Sequence, residues 1–427
     1  MPRRKPEDGL WRARPVLAHM RSLASSKGQS PWPVLGWAIV RALHTVPYTV
    51  CYQSLIGAQA LNSLVGISGP TGAGKTISQR LLEDHFVFPD NDPVRPFSKS
   101  WEGLIPPGSG ESMPDRYVYF DRLREDEEEE SGEISAKDRL SNTLVWHHPN
   151  HAAVFFFDEV GMLASRSSRQ GSTLVDYMKE GWSGSEFGRT LASGKGVILP
   201  RESYRFACVI NTQPKRAGIL FSEEAVAGGL QGRFLWFDVT ADINRDLVSR
   251  EPVKKFLIPA IDWRGVDHIE ALEVMNNAHT QHHWDALDGL ISETESHILL
   301  TQAKVAVALA VLDGRAELNQ EDWDISQLVI EHTVKTRTVI EQALVEENRL
   351  AVIRDGKRAA VKVALSEKEK HRVNVEATAA AIVRWRERTG KKDAKDRYLS
   401  QRQREYKEEA EEFLRLNPDW QPPPQKA

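Results

Sequence analysis

Residues 64–76 read LVGISGPTGAGKT, an apolar run that breaks into a loop with three glycines and restarts at a lysine and a threonine. Nothing else in the 427 residues limits the fold as tightly. The run LVGIS reads as a buried strand, and a helix is predicted from Lys75 through Leu82. A Gly-rich loop joining a strand to a helix is what the pattern G-x-x-x-x-G-K-[ST] describes, here Gly69 to Thr76. Glycines let backbone N–H groups wrap a phosphate, and the helix N-terminus adds the positive end of its dipole. The loop Gly69, Pro70, Thr71, Gly72, Ala73, Gly74, Lys75 and Thr76 is therefore the expected phosphate cradle. Lys75 would reach the β- and γ-phosphates, and the Thr76 hydroxyl would ligate Mg2+. A Gly-rich turn that matched by chance would need neither the strand in front nor the helix behind.

Four further runs between Ser63 and Val239 share the character of the first: RYVYF, AVFFFDE, YRFACVIN and FLWFDV. Each is apolar almost throughout instead of alternating, which marks strands covered by helices on both faces, as in a parallel α/β sheet. The predicted core spans residues 61–245. Within it, 88–150 is a Pro-rich insertion whose acidic run EDEEEE, at 125–130, reads as a solvated loop. Residues 1–60 form a basic helical lead-in, anchored by Trp37, Ile39, Val40 and Leu43. After Val239 the strand-like runs stop. Apolar i, i+3, i+4 spacing predicts a helical lid subdomain over 246–350, with a polar turn at Gly314 to Gln320. Charged helices are expected at 366–388 and 399–415, in a basic region covering 351–415, followed by a disordered tail at 416–427.

A hydrophobic content of 41% is enough to fill one large core and a smaller domain or two. The formal net charge of −4 argues neither for nor against a polyanionic partner, but local charge is uneven. Residues 354–407 hold 17 Lys/Arg against 8 Asp/Glu, and residues 1–27 are basic as well. Cys51 and Cys208 make neither a disulfide framework nor a metal site, which fits a reducing cytoplasm. No signal-peptide core follows the first basic residues and no run is long enough to span a bilayer. The expectation is a cytoplasmic protein with no membrane partner.

A strand ending in carboxylates should complete a phosphate site, and AAVFFFDEV supplies it. Asp158 fits the acid that holds the metal, and Glu159 the base that polarises an attacking water. The strand RFACVIN ends in Asn211, the candidate for orienting that water, with Gln213 in reserve. A pair of acids and a polar strand end without any role is the plainer alternative.

At this point the chain resembles the AAA+ branch of P-loop ATPases. More narrowly, the series SPWPVLGWAIVRALHTVP, GPTGAGKT, FFFDEVGML, YRFACVINTQP and GGLQGRFLW, over residues 10–345, is similar to the replicative ATPases or helicases encoded by phages, prophages and plasmids, often beside primases. The resemblance implies an AAA+-like α/β fold with a parallel sheet flanked by helices, and an ATP hydrolase using ATP and Mg2+. It also implies a ring-shaped homo-oligomer such as a hexamer, single-stranded or forked DNA as substrate, and a primase or other replication partner.

Three further features bear on that implication. Arg233 in QGRFLWFDV lies 22 residues after Asn211, like the arginine that minichromosome-maintenance helicases send into a neighbouring subunit's ATP site, with Arg216 and Arg189 as weaker candidates. An internal salt bridge is the competing role for Arg233. The pieces RTLA and GVILP flank SGKG, so a hairpin is expected with Lys195 near its tip, where ring helicases grip DNA; an ordinary surface lysine is the alternative. The basic stretch RWRERTGKKDAKDRYLSQRQREY could bind phosphates as a helix-turn-helix-like unit or be a solvated tail. The clusters HHPNH and HTQHH lack metal-site spacing and read as structural.

The expected function is a DNA helicase or translocase in mobile-element replication. The alternative is a non-translocating ATPase switch, such as a helicase loader or defence-system subunit. A small-molecule kinase is disfavoured by the DE pair, and a packaging motor by the lack of a second acidic cluster.

Overall fold

Four of the apolar runs assemble side by side. The computed structural model describes residues 7–89, 104, 113–117, 119–120, 144–145, 151–161, 174–190, 196–391 and 399–423. Strands Ser63–Ser68, Ala152–Phe157, Arg205–Thr212 and Phe234–Asp238 form one sheet. Their spatial order is Phe234–Asp238, Ser63–Ser68, Arg205–Thr212, Ala152–Phe157, and every neighbouring pair is parallel. Ser68 pairs with both Thr212 and Asp238, and Phe157 pairs with Ile210. The carboxyl ends of all four strands therefore finish at one edge, which delivers the Gly69 loop, Asp158 and Asn211 to a common place. Open α/β sheets bind ligands at that edge.

Both faces of the sheet are covered, as the continuous apolar runs require. Val65, Ile67, Ala207, Val209, Leu235 and Phe237 point into one core cluster, and Leu64, Phe206, Cys208, Ile210, Phe234 and Trp236 into another. Approach is close enough to need glycine at two positions. A Cβ on Gly66 would enter the Trp236 ring, and one on Gly36 would meet the Phe237 ring at 2.6 Å. Gly36 belongs to helix Pro31–Thr45, all of whose residues are buried. Ser30 starts that helix by accepting the Trp32 N–H at 3.3 Å, with Pro31 in the first position, where a missing N–H costs nothing.

The lead-in, the sheet and the helices that follow share one core within the unit Met1–Val345. Helix Ile298–Leu312 packs on Pro31–Thr45, so the expected lid residues form part of the main core here. Two polar clasps reinforce this. Arg14 bonds Asp313 at 2.8 Å and Asp322 at 2.6 Å, and Arg315 reaches the same Asp322 at 2.8 Å. Lys304, buried in Ile298–Leu312, donates to the carbonyls of Asn62 at 2.9 Å and Trp182 at 3.1 Å and lies 3.6 Å over the Trp182 ring. Burial pushes its amine well below the usual lysine range.

The structure departs from the sequence expectations in several places. RYVYF is no member of the main sheet among the described residues; Tyr119–Phe120 pairs antiparallel with Leu144–Val145. The lead-in contains strands, since Cys51–Ser54 and Gly57–Gln59 make a hairpin turned at Gly57, with φ at +111°. Strand pieces also continue after Val239: His268–Glu270 pairs parallel with Cys51–Ser54, and Phe256–Leu257 with Phe86–Val87. Pieces of two to four residues carry too little periodicity to be read in sequence.

The predicted turn near Gly314 is present, with φ at +75°, between Ile298–Leu312 and a helix running from Gln320 to Thr389 without the expected interruption. Gly356 lies inside it; a helical glycine weakens a helix by about 1 kcal/mol but does not end it. The second unit, Glu346–Ala427, takes the later part of this helix and adds Gln401–Glu405 and Lys407–Leu416 around Val375, Ala379, Ile382, Trp385, Leu399 and Ala410. Residues 417–423, expected as a disordered tail, place Trp420 edge-on against Phe413 at 5.3 Å, because its indole finds an apolar partner.

Candidate nucleotide-binding site

The Gly69–Thr76 loop leaves strand Ser63–Ser68 and enters helix Lys75–His85. Its first residue is tied to the neighbouring strand by Gly69 N–H donating to the Thr212 carbonyl at 3.1 Å. Gly72 and Gly74 take left-handed φ values of +76° and +95°, which L side chains adopt only with strain. Gly74 is also crowded: a Cβ there would run into the Gln29 side chain. Gln29 carries no motif, and only the tertiary structure brings it to the loop.

A cleft of about 330 Å3 opens between this loop and the strand ends. Thr71, Gly72 and Gly74 line one side, with Lys75 and Thr76 at the helix start. Asp158, Glu159, Asn211 and Gln213 line the other. Pro70 and Ala73 form the body of the loop, where the Ala73 N–H donates to the Pro70 carbonyl at 3.3 Å.

The polar centre is one oxygen of Asp158. Its Oδ1 accepts from the Thr76 hydroxyl at 3.2 Å and from the Asn211 side-chain N–H at 3.1 Å. The bond to Asn211 follows from register: Phe157 is opposite Ile210, so Asp158 lies level with Asn211. Asn211 is 1% exposed, and its Oδ1 is buried without a hydrogen-bond partner. A carboxylate and a hydroxyl converging beside an unpartnered amide oxygen form a hard-oxygen donor set, which suits Mg2+ with retained waters. The residues present thus fit the implied metal.

Lys75 donates to the Gly69 carbonyl at 3.0 Å and the Pro70 carbonyl at 2.8 Å, so its amine rests on its own loop. Burial lowers its pKa, while Asp158 and Glu159 oppose that shift. Glu159 is paired with Arg216 at 2.8 Å; the side chains are 49% and 62% exposed, respectively. A pair this open to solvent contributes at most about 1 kcal/mol.

The remaining candidates are placed elsewhere. The Arg233 guanidinium turns into its own chain, donating to the carbonyls of Gly228 at 2.7 Å and Gly229 at 2.8 Å, and lying 5.3 Å over the Trp182 ring. Burial lowers its pKa to about 10. To act across an interface it would first have to leave these partners. The expected hairpin exists, with Phe187–Thr190 antiparallel to Gly196–Leu199. Lys195 lies outside the described residues, as does the side chain of Arg189. In the second unit, helix Lys407–Leu416 carries four glutamates against Lys407 and Arg415, an unfavourable face for phosphates.

Most of HHPNH lies outside the described residues; His151 stacks on Tyr48 at 3.9 Å. In HTQHH, His279 bonds the Tyr52 hydroxyl at 3.2 Å. Among the described residues no helix is long and apolar enough to cross a membrane. No protein-family model matches the chain, and a search of curated proteins gives no match.

Proposed function

We propose that this chain is a Mg2+-dependent ATP hydrolase. The observation that carries the reading is the meeting of Thr76, Asp158 and Asn211 at one carboxylate oxygen, beside a glycine loop that ends in a helix start. The strand order supports it as well: the Asn211 strand lies between the loop strand and the acid strand, as in P-loop ATPases whose glutamate follows the metal aspartate. ATP, as against another nucleoside triphosphate, comes from the AAA+ resemblance.

Bound Mg2+ and ATP would supply the electrophilic γ-phosphorus and its leaving group. Thr76 and Asp158 would hold the metal, and Lys75 would leave the Gly69 and Pro70 carbonyls to neutralise phosphate charge. Glu159 would take the proton of the attacking water as the bond to the β–γ bridging oxygen breaks. The buried Asn211 Oδ1 would orient that water. The test is Mg2+-dependent phosphate release by wild type, Lys75→Ala and Glu159→Gln; hydrolysis surviving in both variants removes the reading.

The use of that hydrolysis is proposed to be movement along single-stranded or forked DNA by a ring of copies, with a primase or other replication protein as partner. The antiparallel hairpin Phe187–Leu199, just before the Asn211 strand, supports this. One observation favours the switch reading: Arg233, the residue proposed to act between subunits, is bonded within its own chain. Displacement of a labelled strand from a fork separates the two, since ATP turnover without displacement or translocation leaves only the switch.

A further inference from the structure

The Glu159 carboxylate does not stand ready for water. Its Oε1 accepts from the Arg216 Nη1 at 2.8 Å, so part of the group assigned as proton acceptor is already occupied. Arg216 belongs to the 3-10 stretch Pro214–Phe221, directly after the cleft-lining Gln213. Its backbone N–H donates to the Gln213 carbonyl at 2.9 Å, which fixes its main chain beside the cleft while the side chain extends into solvent. The pair is exposed on both sides, and solvent-screened ion pairs exchange partners easily.

A guanidinium keeps its charge and offers a planar fork of donors that matches phosphate oxygens. A nucleoside triphosphate in this cleft would bring its terminal phosphate between Lys75 and Glu159, within the sweep of the Arg216 side chain. We propose that Arg216 is a positioning residue that senses the terminal phosphate, a reading that rests on the nucleotide site proposed above. Without nucleotide it holds Glu159. With a triphosphate bound it moves to the terminal phosphate and frees the carboxylate for water. A diphosphate offers no such anchor, so the Arg216–Glu159 pair re-forms after hydrolysis. Hydrolysis is thereby tied to which nucleotide is present, by a residue of the same chain.

The experiment is a double-mutant cycle on the full chain with Mg2+, by calorimetry, using ADP and the non-hydrolysable β,γ-imido analogue of ATP. Arg216→Ala should weaken the analogue about tenfold and leave ADP unchanged, with Arg216→Lys recovering part of the loss. Glu159→Gln should tighten the analogue about threefold only while Arg216 is present, because the gain is release of the arginine. Equal weakening of ADP and analogue by Arg216→Ala overturns the proposal. So does a Glu159→Gln gain that persists without Arg216. If wild type binds neither nucleotide, the nucleotide reading falls first and takes this one with it. If wild type binds both and the cycle shows no coupling, only the role of Arg216 is lost. Both side chains are exposed, so the variants perturb the pair and not the core.

Discussion

Asn211 donates its side-chain N–H to Oδ1 of Asp158 across 3.1 Å, while its own Oδ1 is buried with no hydrogen-bond partner. An unsatisfied buried acceptor costs stability and persists where a function uses it. The bond joins two parallel strands at their carboxyl ends, where the sheet opens to the cleft.

Asn211→Ala should lower kcat for ATP by roughly 10² with KM changed only a few-fold, because orienting groups act mainly in the transition state. Steady-state phosphate release checks this. A rise in KM at unchanged kcat would place Asn211 in binding alone.

Lys75→Ala should remove nucleotide binding. With ATP at 100 times its Kd, wild type should gain about 2.7 kcal/mol of stability by mass action. In thermal denaturation with and without Mg2+-ATP, that gain should vanish in the variant; an equal gain in both proteins contradicts the phosphate-site assignment.

Asp322→Ala should destabilise the first unit by about 3–5 kcal/mol, since it strips a carboxylate from a buried arginine. Asp322 is fully buried and Arg14 2% exposed at its side chain, and the two meet at 2.6 Å. Urea denaturation measures the loss. A change under 1 kcal/mol would mean that Asp313 and Glu321, also within reach of Arg14, suffice.

His332 gives a pH prediction. Burial lowers its pKa from 6.5 to about 3, with nearby Lys335 adding to the shift. Its Nε2 accepts the Asp238 N–H at 3.3 Å, and the ring stacks on Trp32 at 3.6 Å. Between pH 6.5 and about 3 the unfolded chain binds a proton that the folded chain refuses. Stability is therefore full above pH 6.5 and falls as pH drops, by up to about 1.4 kcal/mol per pH unit for this group. His332→Phe keeps a ring for the stack and should flatten the slope by one proton's worth. His44 and His279, lowered to about 3 and about 4 by burial, would carry what remains.

The phosphate loop, the acid pair and Asn211 were legible in the sequence because each depends on a local pattern: a glycine spacing, or an apolar run ending in a polar residue. Their order along the sheet was not, because strand neighbours are chosen by long-range packing such as Trp236 over Gly66. Arg216 was visible as a charge near the site, but nothing local sets its partner. Arg233 shows the reverse: its sequence context suggested an outward arginine, and Trp182 with two carbonyls turned it inward.

By itself the sequence determined that an apolar strand ends in a glycine loop and that acids follow another strand, since hydrophobic runs and glycine conformations are properties of neighbouring residues. Only the tertiary structure decided that Asp158 meets Thr76 and Asn211, that Glu159 is held by Arg216, and that Asp322 locks Arg14. Those pairs lie far apart in the chain, and parallel register and burial, which no local window contains, bring them together.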